Sequence, residues 1–206
     1  MAVTAAKSLL AASALALAGL AVFSYDQSKG IAATAGKAQA AGGQNAPINA
    51  CALLADDEVS AAVGAKVTPG ERRDAGEVGG KGDYAPLGTY SSTCFWQFSA
   101  DAVGDDNPTL PMGGKRFAIL NVMVWPAGGD DSAKFLQSFR DAFKHDIIPS
   151  DPIPVDIGDE GLWWGDGVAS RKANKSFGVS VFLQNGDKAS QRKMEEGLAR
   201  KIVGRL

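Results

Sequence analysis

Apolar and polar positions along this chain repeat with two different periods, and the change between them marks out its elements. Residues 89–98 (TYSSTCFWQF) alternate and are rich in Thr and aromatics, which predicts a strand with Cys94, Trp96 and Phe98 on one face. Thr93, Phe95 and Gln97 fall on the other. Residues 116–125 (RFAILNVMVW) are apolar at nearly every position, so this strand should be central with both faces covered. The period then lengthens. Phe135, Leu136, Phe139 and Phe143 make one apolar stripe of a helix over 133–145, with Asp130, Asp131 and Ser132 as its cap. Three strands should follow, 162–164, 168–172 and 177–184, turning at Gly165-Asp166-Gly167 and Asn174-Lys175. Residues 188–206 return to helical spacing, with Met194, Leu198, Ile202 and Leu206 four apart.

Before the first of these strands, Asp56 is placed to cap a short helix. Asp57 and Glu58 stand in its first turn, Val59, Ala62 and Val63 on its apolar face, and Gly64 at its stop. Residues 65–67 read as a short strand. Residues 69–88 hold six glycines and many charges and read as a long mobile loop with Tyr84 its one aromatic. Residues 100–114 read as a hairpin-like loop, 147–157 as a proline-rich extended loop and 158–161 as a turn. The order α-β-β-β-α-β-β-β-α predicts an α+β sandwich: an antiparallel sheet covered by helices on one side.

The N-terminus has a different character. Lys7 precedes an apolar run from Leu9 to Phe23, about 15 residues, the layout of a secretory signal. That is short of the roughly 20 apolar residues of a bilayer-spanning helix, so membrane contact would come only from an uncleaved leader. Residues 1–24 are assigned to the signal, 25–46 to a flexible small-residue tether, and 47–206 to one domain. Cys51 lies 28 residues beyond Phe23, too far to be the acylated cysteine of a lipoprotein. Export puts the only two cysteines, Cys51 and Cys94, in an oxidising space, where a disulfide would persist. The alternative is two buried free thiols.

Charge and chemistry narrow the function. The chain carries a net charge of −2, and residues 41–206 carry −4, with dispersed basic pairs, a poor match to nucleic acid or an anionic membrane. One histidine, His145, and two cysteines committed to a bridge leave no His/Cys metal cluster, so no metal and no cofactor is expected. Asp101 with Asp105-Asp106, and Asp156 with Asp159-Glu160, lack the spacing of a calcium loop and read as turn acids. A hydrolase using carboxylates or His145 has no supporting motif: there is no Gly-x-Ser-x-Gly, and His145 suits a helix C-terminus. Trp163 and Trp164 are adjacent, so on a strand they point to opposite faces. One can enter the core, while the other, beside Asp166, can fill a groove or contact a ligand or partner.

From Cys51 onward the chain resembles a group of uncharacterised bacterial envelope proteins, many of them lipoproteins. The features that carry the likeness are Cys51-x-Leu53-Leu54, Glu58-Val59, Val63-Gly64, Cys94-x-Trp96, Gly158-Asp159 and Leu198-Ala199 with Ile202-Val203. Ala55 stands where the group usually places a Thr cap. The likeness implies a PsbP-like sandwich and supplies no catalytic residue. Taken together, the expectation is a periplasmic or secreted, non-enzymatic domain binding an envelope protein or small ligand through Trp163, Trp164 and Asp166. A carboxylate or His145 hydrolase and a structural accessory subunit are the alternatives.

Overall fold

The computed structural model of the chain describes residues 47–80, 85–98, 116–126, 129–148, 150–183 and 187–206. The segments assigned above to a signal and a tether (1–46), Tyr84 and the loop expected at 100–114 lie outside them. One antiparallel sheet of eight strands carries the fold. Its long members are β3 (Thr89–Phe98), β4 (Arg116–Val124) and β8 (Lys175–Phe182), followed outward by β7 (Val168–Lys172), β6 (Glu160–Trp163) and β5 (Ile153–Val155). On the opposite edge, β1 (Glu71–Arg72) and β2 (Gly76–Val78) both pair with β3.

The segment read as a long mobile loop therefore holds two strands. Its fixing point is Asp74, which joins them. Arg72 Nε (2.7 Å), Tyr90 Oη (3.0 Å) and Ser92 Oγ (2.6 Å) all donate to its carboxylate. Burial pushes the Asp74 carboxyl up, but those donors outweigh it and hold it below the usual range. Ser92 Oγ in turn accepts from Ala50 N at 2.9 Å, so the edge is tied to the start of the domain. The predicted strand at 65–67 reduces to a single bridge, Val67 with Phe98. The proline-rich loop contains β5, an edge strand, where Pro154 is tolerated because no neighbour needs its missing amide.

β4 pairs with β3 from Phe98↔Arg116 to Tyr90↔Val124 and with β8 from Phe117↔Phe182 to Val124↔Lys175. Its alternating side chains feed two cores. Ala118, Leu120 and Val122 join Leu54, Val59, Trp96, Val179 and Ile202 on one face. Met123 and Trp125 join Phe135, Leu136, Phe139, Leu162 and Trp164 on the other. The first face is closed by α1 (Asp56–Val63) and α3 (Lys188–Val203), the second by α2 (Gly129–Lys144). The helices thus cover both faces of the sheet rather than one. A central strand apolar on both sides leaves two surfaces to be buried, and α2 has the stripe to bury the second.

Helix boundaries follow local chemistry. α1 begins one residue earlier than a cap at Asp56 requires: Ala55 is the N-cap, and Glu58 Oε2 accepts from its amide at 3.0 Å. Asp56 is already helical, and its Oδ1 accepts instead from Gly70 N and Trp96 Nε1. α2 begins before its expected cap, so Ser132 is inside the first turn, where its Oγ donates to Ala173 O at 2.9 Å. The end of α2 is a left-handed turn at Asp146 (φ 54°), with Asp146 N bonded to Phe143 O and Ile147 N to Ala142 O. An L residue is strained there, and a negative charge opposes the helix dipole. Asp146→Gly should therefore stabilise the domain by about 1 kcal/mol, a rise in Tm of roughly 3 °C in a calorimetric scan.

Candidate functional site

α3 carries the surface with the most chemistry. Asp187 caps it, accepting from Ser190 N at 2.9 Å, and Arg200 and Lys201 stand in its last turn, where cations suit the dipole. Its buried side keeps Leu198 and Ile202 of the stripe expected from Met194, Leu198, Ile202 and Leu206 but is turned toward polar positions. Gln191, Glu195, Leu198, Ala199 and Ile202 are buried, while Met194 and Leu206 are only half-buried. A glutamate therefore occupies a core position.

Glu195 is fully buried. Oε1 accepts from Val181 N and Gln191 Nε2, each at 3.0 Å, and Oε2 accepts from Trp163 Nε1 at 2.9 Å. β7 begins at Val168, which pairs with Val179, so the amide of Val181 lies past the end of that ladder; the carboxylate satisfies it. Burial pushes the carboxyl up to about 7 against the pull of these three donors, and the charge of Asp166 adds to the rise. The folded state then holds this proton more tightly than the unfolded chain, where the group ionises near 4.5. Its contribution to stability is complete below that value and is lost as pH rises through about 7.

The outer side of α3 forms an open groove of about 620 Å³ against α1. Ala61, Ala62, Met194 and Leu198 make its apolar floor, and Asp57, Glu58, Ser190, Lys193 and Lys201 its rim. Gly197 opens the wall: a Cβ there would meet nothing within 4 Å. One end is locked. Glu58 accepts from Arg205 Nη1 (2.6 Å) and Nη2 (2.7 Å) and from Lys201 Nζ (3.0 Å), and Arg205 Nη1 also donates to Leu53 O (2.7 Å). The hydrogen bonds from Arg205 hold the Glu58 carboxyl far below the usual range.

The tryptophans do point to opposite faces. Trp164 is buried in the second core, its ring 4.6 Å from that of Phe139. It presses on Gly167 so closely that a Cβ there would lie 2.3 Å from the indole. Trp163 is half-buried on the α3 side, bonded to Glu195 and covered by the Arg192 guanidinium at 5.2 Å. Neither ring stands free in solvent, because α3 covers the sheet face that Trp163 is on and α2 covers the face that Trp164 enters. Asp166 pairs with Lys188, which also donates to Gly165 O at 3.1 Å. Trp163 and Asp166 therefore meet at the first turns of α3.

Cys51 and Cys94 form a disulfide with Cα atoms 5.0 Å apart. It joins the 3-10 turn Ala50–Ala52 to β3. His145 is exposed beyond the end of α2, and among the described residues no hydrogen bond joins its ring to a serine or a carboxylate. Asp159 accepts from Ala173 N, and Glu160 is bonded to Arg140 and Arg171. Among the described residues no group of three or more His, Cys, Asp or Glu is placed to hold a metal ion. Nor is any helix of these residues long and apolar enough to cross a membrane.

Glu195 and the groove are absent from the residues that sequence reasoning singled out. The signal for Glu195 was its register: 191, 195, 198 and 202 share one helical face with the deepest apolar positions. No sequence signal marks the groove, which needs α1 and α3 to meet from opposite ends of the domain.

Fold and site together define a disulfide-stapled α+β domain with a groove between its first and last helices. Searches against protein-family models, curated proteins and solved structures gave no match to the chain.

Proposed function

We propose that this is an exported, non-enzymatic envelope domain, periplasmic or secreted, that binds a partner protein or small ligand in the groove between α1 and α3. The supporting observation is the groove itself: an apolar floor framed by charges, one end fixed by the Glu58–Arg205 pair and the wall left open at Gly197. Concave apolar surface with a few placed polar groups is what ligand sites share. The apolar leader, the tether and the disulfide support export, and the likeness to bacterial envelope proteins with a PsbP-like sandwich supports the compartment. Trp163 and Asp166 act here through α3, by fixing its first turns, rather than by direct contact.

A photo-crosslinking residue at Lys193, used in intact cells, should give one discrete adduct. Gly197→Trp should fill the groove and remove most of that adduct, at least tenfold, without unfolding the domain, since its first side-chain atom meets open space. The same crosslinker at exposed Lys144 on α2 is the control. Equal adducts from both positions, or an adduct indifferent to Gly197→Trp, would refute the groove as the binding surface.

A further inference from the structure

We propose that Glu195 is a proton-operated latch on α3: the first half of the helix is held tightest against the sheet when the buried carboxyl is protonated, and loosens as the carboxyl ionises. The device does not require the groove to bind anything.

The geometry behind it is a fully buried carboxyl whose three hydrogen-bond donors are all neutral: a backbone amide, a side-chain amide and an indole. Burying a carboxylate without a cation is costly, and donors offset only part of that cost. No cation is bonded to Glu195, and two cations of its own helix are engaged elsewhere. On α3, Lys188 is bonded to Asp166, Gly165 O and Gln191 Oε1, and Arg192 to Glu196 while lying over Trp163. From the β6–β7 turn the facing charge is Asp166, which opposes ionisation. β8 offers no charged side chain between Phe177 and Leu183. β7 presents Lys172, bonded to Val203 O at the far end of the helix. On α1, Asp57 and Glu58 stand across the groove, and Glu58 is taken by Arg205 and Lys201.

An ionised Glu195 gains by returning to water, and it can do so only if α3 lifts. The far end resists, through Arg205–Glu58, Arg205 to Leu53 O, and Lys172 to Val203 O. The opening is therefore confined to the turns carrying Lys188, Gln191 and Glu195. Those turns also carry Ser190, Lys193 and Met194 of the groove, so groove geometry follows pH.

Amide hydrogen exchange on the full chain, corrected for intrinsic rates, tests this. The opening constant for residues 188–198 should rise on the order of 50-fold between pH 5 and pH 7.5, since a proton held near 7 in the closed form is released near 4.5 in the open one. Residues 199–203 should change less than about threefold. Glu195→Gln should flatten the dependence in 188–198. A carbon-detected NMR titration of the wild-type Glu195 carboxyl, with the Trp163 indole N–H followed alongside, decides the matter if that variant does not fold. A carboxyl inflection near 7 shared by the Trp163 proton supports the latch. An inflection below about 5, or the same exchange dependence in wild type and Glu195→Gln, overturns it.

Discussion

Cys51→Ser and Cys94→Ser should each destabilise the domain by about 4 kcal/mol, and the double variant by no more than the worse single. The two cysteines are 43 residues apart in sequence, and in the chain-entropy model closing a loop of that size removes roughly this much freedom from the unfolded chain. For a domain of this size the loss corresponds to about 8–16 °C in Tm. Cys94→Ser should be slightly the larger, because Cys94 is fully buried and its replacement leaves a hydroxyl in an apolar core, whereas Cys51 is half-buried. Urea melts of the two singles, the double and the reduced wild type make the measurement. Additive losses in the double variant would mean that the residues do not act as one bridge.

Trp96→Ala should cost about 3–5 kcal/mol, the range for removing a large aromatic from a core. Trp96 is 1% exposed and shares its face of β3 with Cys94. Gly70 crosses over both: a Cβ there would lie 2.8 Å from the indole nitrogen and 2.9 Å from the Cys94 sulfur. The indole N–H donates to Asp56 Oδ1 at 2.8 Å, and the same oxygen accepts from Gly70 N at 3.0 Å. Trp96→Phe keeps most of the apolar area but loses this link between β3 and α1, and should cost about 1–2 kcal/mol. Because the ring and the disulfide pack against the same crossing backbone, Trp96→Ala and Cys94→Ser should be non-additive by more than 0.5 kcal/mol in a double-mutant cycle. A sum within experimental error would show that the two sites are independent.

Strands β3, β4, β7 and β8 and helix α2 were legible in the sequence because each is long enough for its period to show. So was the cysteine pair, from its count and the export expected of the leader, and so was the covering of both faces of β4. β1, β2 and β5 were not legible. Strands of two or three residues have no period, and these exist because a neighbouring strand supplies the other half of each ladder. Asp74 looks like any loop acid until Arg72, Tyr90 and Ser92 converge on it.

By itself, then, the sequence determined the long amphipathic elements and the α+β class, which depend on spacing between near neighbours, and named the one pair of cysteines able to form a bridge. Only the tertiary structure decided that the helices divide between both faces of the sheet, that α1 and α3 leave a groove, and that Glu195 lies in a core. Those outcomes depend on contacts between residues far apart in the chain. Gln191 and Glu195 read as solvated polar positions until β8 and Trp163 supply the donors that let a carboxyl be buried there.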